Sequence, residues 1–359
     1  MHFFSIYLER FSKTGVQVDM RISILFLLLM FKFSLFGQNT NQTQQAPRLL
    51  EAGKIGFPAV KGNQHELSWR EQVKLRPKDA AAWLNYYIWV ERNRGYDPAY
   101  RSGLLENISS DAGNYISDQW QYHLITYLQS GNTAASAHKD LNALKMALAL
   151  TTDKSSVYPY LVQYGIIEQD RSTRKEYAML MEQTSPLPAD INRYHYNVLM
   201  SADSNATIIA RGMNDLIPLA ILQDVYGVRT DIDLRHADYY TGLRNNVYYC
   251  LSMGKEAVEN ISGAAYTGLL VKQSGTQINN ELINHIENRF DLNYLQNLSN
   301  PDDLSKQLHR NYFPSLLILY RYYKSGNDQR MEQLKNIIVH LAKLTGEEKR
   351  IKQAIENSK

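Results

Sequence analysis

The stretch that decides the fold reads Leu67-Ser-Trp-Arg-Glu-Gln-Val-Lys-Leu-Arg-Pro77-Lys-Asp-Ala-Ala-Ala-Trp83-Leu-Asn-Tyr-Tyr87. On both sides of Pro77, apolar residues recur at the three- and four-residue spacing of an amphipathic helix. Proline lacks a backbone N–H and its ring clashes with the preceding turn, so Pro77 ends one helix before Trp83 enters the next. The stretch therefore predicts two consecutive helices joined by a short turn.

This boundary resembles that of tetratricopeptide repeats, in which a proline closes one helix pair and a tryptophan enters the next. In the same register, Ala99 occupies the small crossing position, whereas Gly103 stands where an aromatic residue is expected. The resemblance implies stacked antiparallel helix pairs, because the small residue lets two helices approach closely. The imperfect register implies that the array is irregular.

Three further pairs of apolar-periodic segments follow, each divided by a turn signal. They comprise Trp120–Gln129 with Thr133–Leu150, Tyr158–Gln169 with Arg174–Met181, and Asn311–Tyr322 with the segment around Met331 and Leu341. We therefore predict a mainly α fold, an irregular α/α superhelix of tetratricopeptide-like helix pairs. Its helical repeat region spans residues 63–200, and a C-terminal helical region spans residues 241–359.

A short βαβ insert is predicted between these regions, at residues 201–240. An apolar, β-branched run ends at Ala210, a helix over Leu216–Tyr226 has Pro218 near its start, and an extended run follows Gly227. Ligands of open α/β sheets bind where loops leave the carboxyl ends of strands. Gly212, Asn214, Asp215 and Arg229 are therefore the candidate ligand-binding residues, for a sugar, a phosphate-bearing group or a peptide end.

A purely structural interpretation of the same loop stays open. Asp215 is a suitable N-cap for the following helix, and Gly212 and Asn214 suit a tight turn. The stretch Asn205–Asp231 also resembles a segment in the soluble part of multi-spanning membrane proteins related to O-mannosyltransferases. That resemblance covers about 30 residues and has Met213 where the family has an acidic residue. It implies an envelope-associated accessory domain and does not carry over transferase activity.

The N-terminal residues predict export. Arg21 precedes the ten-residue apolar run Ile22–Phe31, which is too short to span a bilayer that needs about 20 residues in a helix. Residues 1–37 therefore read as a signal peptide, with Met20 as the more economical start. Residues 38–62 read as a polar linker. The alternative is an uncleaved N-terminal anchor in which Lys32 reaches the membrane surface.

Composition excludes several functions. The formal net charge of +3 and the lack of a concentrated basic face do not favour nucleic-acid binding. Cys250 is the only cysteine, so the chain can form neither an internal disulfide nor a thiolate metal cluster, and the nine histidines lack metal-ligand spacing. We predict no metal, no cofactor and no catalytic residue.

We expect an exported, periplasmic or envelope-associated scaffold, a binding module in preference to an enzyme, whose tyrosine-rich concave surface holds a peptide or protein of the cell envelope. That partner could itself be a membrane protein. Tyrosine is unusually frequent, with 25 residues, and suits such surfaces because its ring is apolar and its hydroxyl is polar. The first alternative is an enzyme or transferase accessory that uses the Gly212–Asp215 loop on a carbohydrate or lipid-linked substrate. The second is a membrane-held spacer.

Overall fold

The computed structural model describes residues 66–92, 97–131, 138–242, 246–253, 261, 263–273, 279–324, 326 and 328–357. The predicted signal peptide and polar linker lie outside these residues. The described chain is mainly helical, with a small mixed sheet of five strands. It buries one contiguous hydrophobic core that runs from Trp69 to Ala354.

Among the described residues, eight α-helices precede the sheet, and most neighbours in sequence pack against each other in space. They are α1 (Glu66–Leu75), α2 (Ala80–Arg92), α3 (Pro98–Ile116), α4 (Trp120–Gln129), α5 (Leu141–Leu150), α6 (Tyr158–Ile167), α7 (Arg171–Thr184) and α8 (Ala189–Met200). The predicted helices are present, but α5 begins at Leu141 and not at Thr133. Its N-cap is Asp140, whose carboxylate accepts the N–H of Ala143 at 3.1 Å.

The quoted boundary folds as its residues predict. Pro77 lies in the turn between α1 and α2, and the indole N–H of Trp83 donates to the carbonyl oxygen of Pro77 at 2.8 Å. Asp79 caps α2 by accepting the N–H of Ala82. The proline thus ends one helix, and the tryptophan of the next helix satisfies the carbonyl left behind.

Helices α6 and α7 approach unusually closely, and a glycine makes this possible. A Cβ on Gly165 would lie 2.6–2.8 Å from backbone and Cβ atoms of Arg174. Arg174 is buried and forms a two-pronged ion pair with Asp224, at 2.6 and 2.9 Å. The small residue expected at helix crossings therefore occurs in this pair. The superhelical arrangement of the pairs stays a prediction.

The sheet has the strand order β2-β1-β3-β5-β4. Its strands are β1 (Thr207–Ala210), β2 (Asp233–His236), β3 (Val247–Cys250), β4 (Ala264–Tyr266) and β5 (Leu270–Gln273). Strand β1 runs parallel to β2 and β3, while β5 is antiparallel to both β3 and β4. The predicted βαβ unit is present, with α9 (Met213–Asp224) between β1 and β2. Strands β3, β4 and β5 fall in the region predicted to be helical.

Helix α9 begins earlier than predicted. Its N-cap is Gly212, and Asp215 lies in its first turn, so the assignment of Asp215 as N-cap was wrong. Pro218 lies inside the helix, and Gly227, at φ +69°, follows its end as predicted. The remaining helices of the described residues are α10 (Asn279–Asn288), α11 (Asn293–Asn297), α12 (Asp303–His309), α13 (Tyr312–Lys324), α14 (Asp328–Thr345) and α15 (Glu348–Glu356).

Many tyrosines serve the core. Among the largest fully buried side chains are Tyr87, Tyr127, Tyr194, Tyr248 and Tyr312. Each places its ring among apolar side chains and its hydroxyl on a polar partner; Tyr87, for example, donates to Gln129 at 2.6 Å. A buried hydroxyl needs such a partner to offset its lost hydration. The high tyrosine content therefore reflects interior packing as well as surface.

Candidate functional site

A cleft with a volume of about 740 Å³ lies between the helices and the sheet. Helices α2, α3, α4 and α6 supply one wall, together with the residues before α5. The opposite wall is the segment that leaves β1, at Arg211–Asn214, and the segment that leaves β2, at His236–Tyr239. We call this space the main cleft. The second wall is the carboxyl edge of parallel strands, where ligands of open α/β sheets bind.

Lys139 is the most buried charged residue of the main cleft, with 8% of its surface exposed. Its Nζ donates to the carbonyl oxygens of Leu128 at 3.1 Å and Ser130 at 2.5 Å. The same nitrogen lies 5.3 Å from the ring centre of Tyr127 and 5.4 Å from that of Tyr239. Burial lowers the pKa of Lys139 to about 8, against the opposing effect of nearby carboxylates.

The tyrosines around Lys139 hold its position. The rings of Tyr127 and Tyr160 meet edge to face at 6.4 Å, and the Tyr127 hydroxyl donates to the Tyr160 carbonyl at 3.4 Å. Burial raises the pKa of Tyr127 well above its ordinary value and that of Tyr160 to about 12. Both hydroxyls are therefore neutral at physiological pH, and they contribute rings and hydrogen bonds but no charge.

Several polar groups of the main cleft have no partner in the described part of the chain. On the helical wall these are the guanidinium of Arg101 and the amide of Gln163. On the sheet wall, Asn214 Oδ1 is buried without a hydrogen bond. Most buried polar atoms in proteins are hydrogen-bonded, so such groups are candidates for contacts with a ligand.

The structure places two of the four predicted site residues in the main cleft. Gly212 and Asn214 line its sheet wall, beside Arg211. Arg211 Nε lies 3.0 Å from Asp238 Oδ1, so this ion pair joins the segments that leave β1 and β2. Ligand binding by Gly212 and Asn214 stays a prediction.

Asp215 points away from the main cleft. Its carboxylate accepts the hydroxyl proton of Ser252 at 2.6 Å and lies 3.3 Å from His195 Nε2, while His195 Nδ1 contacts the Ile191 carbonyl at 2.8 Å. These residue types occur in hydrolase triads, but there the histidine stands between hydroxyl and carboxylate. Here the carboxylate stands in the middle, so the hydroxyl contacts Asp215 and not the imidazole of His195. The arrangement joins α8, α9 and the end of β3.

Arg229 lies at the opposite end of the sheet, so the structure does not bring it to Gly212 and Asn214. Its guanidinium donates to the carbonyl oxygens of Leu199, Ala202 and Asp203 at 2.7–3.0 Å and pairs with Asp231. The expected pocket of four residues is therefore not formed. The physical reason is topological, since Arg229 precedes β2 whereas the loop follows β1.

A second space, of about 770 Å³, lies along α1, α2 and α3. The ring of Tyr115 is nearly parallel to that of Trp83, with centroids 6.3 Å apart. Tyr115 and Tyr100 are each about half exposed. This is the described surface closest in character to the tyrosine-rich surface expected from the sequence. Its polar residues lie exposed along α3, so it offers a ligand fewer buried polar groups than the main cleft does.

Among the described residues, no group of three or more histidine, cysteine or acidic side chains lies close enough to hold a metal ion. Cys250 is buried, and burial raises the pKa of its thiol, as expected for a small core residue. In the part of the chain that the structure describes, no helix combines the length and apolar character needed to cross a membrane.

Comparisons with family models, with curated proteins and with solved structures found no match to this chain. Both resemblances stated from the sequence therefore stay predictions. The sequence analysis missed Lys139, Arg101 and Gln163, which contribute most of the polar chemistry of the helical wall. The frequency of tyrosine was the one signal for such a site. Periodicity could not reveal that Lys139 and Tyr239 meet across 100 residues of sequence.

Proposed function

We propose that this protein is an exported binding module that holds a peptide segment of a protein partner of the cell envelope in its main cleft. The observation that carries the proposal is the volume of the main cleft together with the side chains that line it. About 740 Å³ falls within the range of ligand sites, and tyrosine rings alternate there with polar groups that have no partner in the described chain. Rings pack on side chains, while amides and guanidinium groups bond the peptide backbone.

The N-terminal sequence supports the assignment to the envelope, because the residues that follow Met20 have the order of a signal peptide. Sequencing the N-terminus of the mature protein tests this part. A chain that starts at Gln38 supports export with cleavage, whereas a chain that retains Ile22–Phe31 supports the anchored alternative.

The peptide-binding part is tested with variants of the main cleft. Gln163→Ala removes an amide of the helical wall, and Gln183→Ala removes an exposed amide on α7, outside the cleft, as a matched control. We expect Gln163→Ala to weaken binding of array-selected synthetic peptides about tenfold, the usual effect of losing one or two hydrogen bonds. Gln183→Ala should leave affinity unchanged. Equal affinities for both variants would show that peptides bind elsewhere.

One observation favours a second candidate function. Gly212 and Asn214, the loop with the limited resemblance to O-mannosyltransferase relatives, line the same cleft as Tyr239. Aromatic rings next to amide groups also suit a carbohydrate or a lipid-linked sugar. If this candidate is correct, glycans and not peptides bind, and Asn214→Ala removes that binding. Asp215 is unsuitable for this test because its carboxylate holds Ser252 in the interior.

A further inference from the structure

Lys139 is a buried cation of the main cleft. A lysine ammonium has three N–H donors, and two of them are directed to the carbonyl oxygens of Leu128 and Ser130. Carbonyl dipoles and the rings of Tyr127 and Tyr239 favour the cation but carry no opposite charge. Lys139 therefore lines the main cleft with one donor still to be used and without a direct ion pair among the described residues, although Glu91 and Glu168 favour its charged form.

No carboxylate of the described residues forms an ion pair with Lys139. Glu168 contacts the segment that contains Lys139. Its oxygens, however, bond to His138 Nδ1 and to the backbone N–H of Lys139, both at 2.8 Å. Glu91 and Glu168 both favour the charged form of Lys139 electrostatically, with Glu91 the stronger, but neither forms an ion pair with it. Burial of a cation without a direct counter-ion is costly. A ligand that supplies a negative charge would remove that cost.

The rest of the main cleft also carries more positive than negative side chains. Arg92, Arg101 and Arg211 line it together with Lys139, against the two carboxylates of Glu91 and Asp238. The guanidinium of Arg101 has no ion-pair partner in the described residues. Opposite this wall, Asn214 Oδ1 is a buried acceptor without a donor. A ligand with a negative group at the helical wall and an N–H at the sheet wall would satisfy both.

We infer that the main cleft binds a carboxylate of its ligand, with Lys139 as the buried counter-ion and Arg101 as its second cationic contact. This inference rests on the proposed peptide-binding function and names the chemical group recognised. The carboxylate can come from the C-terminus of a peptide or from an aspartate or glutamate side chain. In either case a neighbouring backbone N–H of the peptide is suited to donate to Asn214 Oδ1.

The first experiment uses a small anion and needs no peptide. Thermal unfolding is followed with glutarate at about 20 mM and with neutral glutaramide at equal ionic strength. Glutarate should raise the unfolding midpoint of the wild type by about 2–4 °C if its dissociation constant is about 2 mM, because a ligand of the native state stabilises it. Lys139→Met should abolish the rise. Lys145→Met, an exposed lysine on α5, makes the same change of net charge and should retain it.

The second experiment identifies the source of the carboxylate. Random N-acetylated hexapeptides are tested as two libraries, one with free C-terminal carboxylates and one with C-terminal amides. Binding confined to the free-acid library indicates the C-terminus, whereas amidated peptides selected for Asp or Glu indicate a side chain. In both cases Lys139→Met should weaken the best peptides about 10- to 100-fold, the cost of losing a hydrogen bond to a charged group.

The outcomes separate the two claims. Peptides that depend on Gln163 but need no carboxylate would overturn the inference and leave the proposed function intact. If neither library yields a binding peptide, the proposed function fails. The glutarate experiment alone then tests the carboxylate site. A Lys139-dependent stabilisation by glutarate would support the anion site, and equal midpoints with glutarate and glutaramide would overturn it. Unfolding curves of Lys139→Met without ligand show whether the variant folds.

Discussion

The two ends of the sheet differ in whether their charged side chains form ion pairs. At the amino end of β1, Arg229 pairs with Asp231, and Lys272 pairs with Asp203 at 2.8 Å. At the carboxyl end, Lys139 is buried among tyrosine rings and carbonyl oxygens without an ion pair in the described chain. Both ends are built from loops that meet the same strands. Only one of them leaves a buried cation available to a ligand.

This difference separates structural from functional use of charge. Matched charges fix the chain where it enters a strand, because losing either partner leaves the other charge without its ion pair. An unmatched cation stabilises nothing by itself and is retained where another molecule supplies the opposite charge. The comparison predicts that substitutions at the amino end change stability, whereas those at the carboxyl end change binding.

The largest effect should come from Arg229→Ala. Its guanidinium donates to the carbonyl oxygens of Leu199, Ala202 and Asp203 and pairs with Asp231, so the substitution removes a donor from four acceptors. Ala202 keeps a second donor in Arg289, and Asp231 keeps the N–H of Asn205. We expect the free energy of unfolding to fall by about 2–3 kcal/mol in urea titrations. Arg211→Ala, at an exposed ion pair of the carboxyl end, should cost less than about 1 kcal/mol. Equal losses would remove the contrast between the two ends.

Asp203→Asn should have the next largest effect. The carboxylate accepts the Tyr248 hydroxyl at 2.6 Å and pairs with Lys272, and these contacts outweigh burial and lower the pKa of Asp203 to about 2. Because the folded pKa lies below the unfolded value, the stabilisation is complete above about pH 4 and is lost as pH falls toward 2. Because the Asp203 side chain is 32% exposed, solvent screening reduces the stabilisation that this shift represents to about 1–2 kcal/mol.

Urea titrations between pH 2 and 5 test this prediction. The wild type should lose stability over that interval more steeply than Asp203→Asn, and the two curves should converge at the lowest pH. Part of the slope will remain in the variant, because Arg229 also lowers the pKa of Asp231 to about 2. Parallel curves for the two proteins would show that Asp203 does not carry the acid sensitivity.

The sequence predicted the helices well and the site only in part, for physical reasons that particular residues illustrate. Pro77, Trp83 and Gly227 act through local backbone rules, so their effects can be read from neighbouring residues. The place of Gly212 and Asn214 at the carboxyl edge of the strands could be predicted because topology defines that edge. Strands such as Val247–Cys250 have four residues, too few for a period to show, and were missed.

Arg229 shows the opposite limit. Its place two residues before Asp231 is visible in the sequence, and a pairing of the two could have been predicted from it. What the sequence does not contain is the position of the carbonyl oxygens of Leu199 and Ala202, which α8 brings to the guanidinium. Lys139 meets Tyr239 for the same reason, through packing of distant elements.

The smallest effect on stability should come from Lys139→Met, in the ligand-free protein. Methionine fills nearly the volume of the lysine stem, and replacing a buried charge by an apolar group is often neutral or stabilising. We expect the free energy of unfolding at pH 7 to change by less than about 1 kcal/mol or to increase. A loss as large as that of Arg229→Ala would place Lys139 among the structural charges.

The pH dependence gives the sign of the Lys139 contribution. Burial lowers the pKa of Lys139 to about 8, below the value of about 10.5 that it regains on unfolding. Between these values the unfolded chain binds more protons than the native one, so stability rises with pH. The wild type should therefore gain stability relative to Lys139→Met from pH 8 to 10. A bound carboxylate would reverse the preference by favouring the ammonium, and with glutarate present the wild type should gain less over this interval.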